Sequence, residues 1–132
     1  MKKAEKKTER QDNREPFINH HYQDDVLIIK LNNILFMHNI LQLESIWKNA
    51  FETKTVKIIA VDCSKLELID STAIGTLVKL LNETIKHNIK LIMFNMKSTI
   101  ENLFETAKLT DFFIIMTKQQ FDTFLSERKT NN

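Results

Sequence analysis

Side chains able to do covalent or metal chemistry are few in this chain. There are one cysteine, Cys63, and four histidines among 132 residues. No paired cysteines or Cys/His pairs stand at zinc-binding spacing, and a structural zinc site needs four such ligands. His20 and His21 are adjacent on a strand-like segment, so they point to opposite faces and cannot share a metal. His38 stands alone in the first helix or the turn before it. His87 falls in the last turn of the second helix, where a partly positive imidazole suits the helix dipole. Each histidine reads as structural or solvated. Cys63 reads as a packed small hydrophobe. With one glycine, Gly75, neither common phosphate-binding loop can form. A Gly-x-Ser-x-Gly nucleophile elbow is also missing. The spacing proposes no catalytic group and no cofactor, and it favours a binding protein over an enzyme.

One segment stands apart. Residues 61–75 run from a strand through a loop at 63–70 into a helix, and Asp70-Ser71-Thr72 fall at the helix start. A side-chain oxygen of Asp70 or Ser71 can accept from the free N–H groups of the first turn, which explains the residue types structurally. A functional reading is also open. Parallel sheets place working sites at the carboxyl ends of strands, and a phosphate on a hydroxyl there would meet the positive end of the helix dipole.

The elements around this segment follow from periodicity. Residues 17–22 suit a short edge strand, and Gln23-Asp24-Asp25 a turn. Residues 26–31, 56–61, 89–94 and 112–116 are short, apolar and rich in β-branched or aromatic side chains, which predicts buried strands. Phe36, Ile40, Leu43, Trp47 and Phe51 recur at helical spacing, as do Ile74, Leu77, Val78, Leu81 and Ile85. Ser98 with Glu101, and Thr117 with Gln120, have capping-box spacing. Met116 and Phe121 form a matching hydrophobic staple. The order β-β-α-β-α-β-α-β-α predicts an α/β fold: one mixed five-stranded sheet with an antiparallel edge pair, otherwise parallel, and about four packed helices.

Composition bounds the rest. A chain of this length suits one domain with a core that needs no disulfide. Residues 1–16 hold six bases and four acids, so the net charge of +2 lies there and residues 17–132 carry 13 of each. That segment is read as a disordered charged leader, residues 17–128 as the domain, and 129–132 as a flexible end. A neutral domain argues against nucleic acid, which selects clustered positive charge. No apolar run approaches the ~20 residues of a membrane span. No signal-peptide core follows Met1, and a lone cysteine fits a reducing compartment. A cytoplasmic location is expected.

Leu68-Ile69-Asp70-Ser71-Thr72-Ala73-Ile74-Gly75, following the strand that ends at Val61-Asp62, resembles the signature of STAS domains, above all anti-sigma factor antagonists. The likeness covers about residues 17–128 and implies a STAS-like sheet. It implies phosphorylation at Ser71, the serine after the aspartate. It also implies a partner surface made by Asp70, Ser71, Thr72, Ile74, Gly75 and Val78. The partners it implies are an anti-sigma factor or related serine-protein kinase, bound when Ser71 is unmodified, and a cognate phosphatase. Regulatory members usually follow the second strand with a Gly-Glu/Arg-Leu/Ile-Asp turn, where this chain has Asn33-Ile34-Leu35-Phe36. Leu35 and Phe36 read either as core residues opening the first helix, the reading favoured here, or as a different partner surface or a loss of kinase recognition. Ala73 replaces the commoner glycine. The rival reading is an unphosphorylated STAS scaffold subunit of a signalling assembly or a lipid or anion transport complex.

Overall fold

A computed structural model describes residues 17–53 and 55–131. The charged segment 1–16, read above as a leader, lies outside the described residues, as does Asn132 at the other end.

Five strands run β1 (Ile18–Gln23), β2 (Val26–Leu35), β3 (Ile58–Ile69), β4 (Lys90–Phe94) and β5 (Ile114–Met116). They lie side by side in chain order, so each connection joins neighbours. The first pair is antiparallel and the other three are parallel. Asp24 turns the β1–β2 hairpin with φ 56°, a left-handed conformation that Asp tolerates better than most residues. The parallel pairs need crossovers, supplied by helices α1 (Ile40–Thr53), α2 (Ser71–Lys86) and α3 (Ser98–Thr106). A last helix, α4 (Lys118–Asn131), ends the described chain. The expected mixed sheet with four helices is thus observed among the described residues.

The sheet buries both faces, as near-continuous apolar strands require. On one face Leu27, Ile29, Ile59, Val61, Leu91 and Met93 pack against α1, α2 and α3. Trp47 and Phe104 are the largest fully buried side chains there. On the other face Val26, Ile58, Ala60, Ile92 and Phe94 receive α4 through Phe121, Phe124 and Leu125. Phe94 and Phe121 stack at 4.0 Å. Asp25 in the hairpin turn grips Arg128 near the end of α4 through two hydrogen bonds of 3.0 and 2.8 Å.

The strand bounds correct the expected loop at 63–70. β3 continues through it, and β2 continues to Leu35, pairing Asn33 with Leu66 and Leu35 with Ile69. β4 stops pairing at Phe94 opposite Asp62. A two-stranded ribbon therefore projects past the sheet. Two register shifts between β2 and β3, each with one extra residue on β3, together with Asn33 at φ 77°, break the period-2 alternation. That interruption is why residues 63–69 do not look like a strand in sequence.

Two further expectations need correction. α1 begins at Ile40, and Phe36 is only half-buried and lies outside both apolar clusters. Leu35 is fully buried, as expected. At α3 the N-cap is Lys97 with extended φ and ψ and no side-chain cap bond, so Ser98 is already helical and the Ser98/Glu101 box does not form.

Candidate functional site

The site is built where the β2–β3 ribbon ends. The N–H of Asp70 donates to the carbonyl of Leu35 at 3.1 Å, so β3 hands over to α2 beside the exit of β2. Asp70 is the extended N-cap residue of α2. Its Oδ1 accepts from the N–H of Ala73 at 2.8 Å. Its Oδ2 accepts from the N–H of Met37, 33 residues earlier, at 3.3 Å. One carboxylate therefore caps the helix and ties residues 36–39 to it.

Because Asp70 supplies the cap, the hydroxyl of Ser71 is not used for it. Ser71 is the first helical residue and is exposed, as are Thr72 and Gly75, while Ile74 and Val78 are half-buried. Residues 71, 75 and 78 fall on one stripe at i, i+4 and i+7. Ala73, Leu77 and Leu80 point the other way into the core. The structure thus puts Asp70, Ser71, Thr72, Ile74, Gly75 and Val78 in the first two turns of one helix, with their outer stripe open to solvent. A Cβ added at Gly75 would meet nothing within 4 Å.

Residues 36–39 form a braced turn. Asn39 Oδ1 accepts from the N–H of Phe36 at 2.9 Å, and its Nδ2 donates to the carbonyl of Ile34 at 2.8 Å. The rings of Phe36 and His38 meet edge-on at 5.2 Å. Met37, Leu41 and Leu68 are 57, 69 and 60 % exposed. Met37, Leu41 and Leu68 are the residues that sequence reasoning missed as surface groups. Residues 34–37 form one unbroken apolar run, which hides where the chain leaves the core. Farther along, α1 and α2 flank a groove of about 430 Å³ lined by Leu41, Glu44, Lys79 and Glu83. Lys79 bridges to Glu44 across it at 3.2 Å.

Burial, and then the Asp62 charge, push the Cys63 thiol far above its ordinary range, which keeps it un-ionised. His87 caps the end of α2 and stacks on Phe51 at 4.2 Å, a packing role. Among the described residues no group of three His, Cys, Asp or Glu is placed to hold a metal ion. No described helix is long and apolar enough to cross a membrane. What the arrangement offers is an exposed hydroxyl at a helix N-terminus, fringed by apolar side chains.

Comparison with known proteins places this geometry. The family model for the STAS domain matches residues 18–128. SpoIIAA, the anti-sigma factor antagonist, is similar in its unphosphorylated form with a TM-score of 0.67 and 17 % identity, covering 84 % of this chain and 97 % of that one. Its phosphorylated form, from Bacillus, matches with a TM-score of 0.65 and 17 % identity, over 82 % of this chain and 98 % of that one. An anti-sigma factor antagonist from Mycobacterium paratuberculosis gives 0.65 at 13 % identity, over 75 % and 83 % of the two chains. The chain of SLC26A9 gives 0.62 at 15 % identity, over 80 % of this chain and 20 % of that one. At such identities the structural likenesses establish the fold. The family match, spanning most of the chain, establishes more: this chain belongs to the STAS-domain family.

Proposed function

We propose that the chain is an anti-sigma factor antagonist-like switch in a partner-switching pathway, acting in the cytoplasm by binding and not by catalysis. Unmodified, it binds an anti-sigma factor or a related serine-protein kinase through the outer stripe of α2 and the turn at 36–39. Phosphorylation of Ser71 by such a kinase releases it, and a cognate phosphatase restores it.

The observation that carries this reading is the division of labour at the helix start. Asp70 alone satisfies the cap, which leaves Ser71 exposed and chemically spare. A phosphate there would add about −1.5 to −2 charges. The helix dipole offsets only about 0.3–1 kcal/mol of its cost. Against a partner's carboxylate at ~4 Å, each added charge costs on the order of 4 kcal/mol at a protein surface. The fold survives that change and the interface does not. The existence of SpoIIAA in phosphorylated and unphosphorylated forms on the same fold supports the reading.

A second reading has its own observation. The turn after β2 presents exposed Met37 and Leu41 where regulatory members carry an acidic turn, which suits a permanent apolar contact in a scaffold. Intact-mass measurement of the chain recovered from its native host separates the two. The switch requires a fraction carrying one phosphate, lost in Ser71→Ala. A chain never phosphorylated, under any growth condition, favours the scaffold.

A further inference from the structure

We propose that β1 is a self-association edge: two copies of the chain pair their β1 strands antiparallel about a two-fold axis at His20, joining two sheets into one. An edge strand exposes a row of free N–H and C=O groups, and proteins normally blunt it with Lys, Pro, a bulge or shortness. The far edge, β5, is blunted by being three residues long. β1 has six residues, Ile-Asn-His-His-Tyr-Gln, with no charged side chain and no proline. Its pairing with β2 runs without a register shift. None of these defences is present in β1.

The backbone fixes which groups are free for a second copy. The N–H of Asn32 donates to the carbonyl of Phe17 at 2.8 Å, and Ile18 stands opposite Leu31 in the same register. In an antiparallel ladder the bonded pairs alternate. Odd-numbered residues of β1 therefore bond to β2, and Ile18, His20 and Tyr22 point their N–H and C=O groups outward. Those three positions match themselves when reversed. Ile18 faces Tyr22 of the second copy, His20 faces His20, and Tyr22 faces Ile18. Each of these facing pairs closes with two hydrogen bonds.

The side chains agree with the same occupant. Tyr22 is 46 % exposed and meets His20 edge-on at 6.3 Å. Set against Ile18 of the second copy, it makes an aromatic–β-branched cross-strand pair, a favourable kind. On the opposite face Asn19 meets His21, two uncharged hydrogen-bonding groups. Residues 17–132 carry equal numbers of acids and bases, so two domains meet without net repulsion. One short strand pair buries little area, so the dimer is weak, with dissociation in the micromolar range or above.

The test uses the full chain. Sedimentation velocity from micromolar to near-millimolar concentration should show a reversible monomer–dimer equilibrium. Tyr22→Glu should weaken dimerisation at least ~tenfold, about 1.4 kcal/mol, with unchanged circular dichroism, and Gln119→Glu, which adds the same charge on α4, should not. Register is read by oxidation. His20→Cys should give a disulfide-linked dimer, because its copies face each other, whereas His21→Cys should not, because its copies are diagonal neighbours about 7–8 Å apart. A wild type monomeric throughout, a dimer indifferent to Tyr22→Glu, or cross-linking by His21→Cys in place of His20→Cys would overturn the proposal.

Discussion

Three residues near the start of α2 have separable jobs, and single substitutions tell them apart. Asp70 caps the helix and holds Met37, so Asp70→Ala should cost about 1 kcal/mol from the cap. Ser71 makes no cap bond, so Ser71→Ala should change the unfolding free energy in urea by less than about 0.5 kcal/mol. Equal losses would mean that Ser71, too, is structural. Gly75 is exposed and helical with open space around it, so Gly75→Ala should stabilise by about 0.5–1 kcal/mol. A lower melting temperature would show that glycine is needed by the fold itself. Phe36 is half-buried and outside the core, whereas Phe104 is fully buried. Phe104→Ala should cost about 3–5 kcal/mol and Phe36→Ala well under half of that, as read from chemical denaturation. A Phe36 loss as large as that of Phe104 would return Phe36 to the core.

At the scale of elements, the capping boxes show what sequence can and cannot say. Thr117 and Gln120 bond reciprocally, backbone N–H to side-chain oxygen at 3.0 and 2.8 Å. The identical spacing at Ser98 and Glu101 does nothing, because the non-helical residue is Lys97, whose ammonium pairs with Glu67 on β3. Spacing alone does not tell which residue leaves the helix. The Asp25–Arg128 pair was equally invisible, being 103 residues apart in sequence. Its pH dependence follows from its geometry. The hydrogen bonds and charge of Arg128 hold Asp25 below its ordinary value of 3.8. A carboxyl depressed in the folded state contributes stability above its unfolded value and loses it as pH falls through the folded one. Asp25→Asn should therefore lower the urea midpoint at pH 7, and the difference from wild type should shrink progressively as pH falls below the ordinary carboxyl value of 3.8. Both side chains are about a third exposed, so the difference is modest. A difference that persists undiminished in acid would mean that packing of α4, not charge, carries the pair.

For the whole molecule, element order and sheet type were legible because buried strands and helical stripes alternate cleanly from residue 17 on. The β2–β3 ribbon was not, since its register shifts scramble the alternation that marks a strand. The exposed helix start at Ser71 was singled out through its motif. The apolar fringe around it was not, because Met37, Leu41 and Leu68 differ from core residues only in where the chain has turned. In the proposed switch these parts act together: the STAS sheet presents α2, Asp70 ties the turn at 36–39 to it, and charge on Ser71 is what would release a partner.

The most direct measurement is the affinity of the partner retained by immobilised wild type from its native host, purified and titrated by calorimetry against the unmodified chain, Ser71→Ala and the Ser71 phosphoprotein. Binding by the first two should be alike, and the phosphoprotein should bind at least ~tenfold more weakly, a loss of about 1.4 kcal/mol or more, with identical circular dichroism for all three. Equal affinity for the phosphorylated and unmodified chains would contradict the switch.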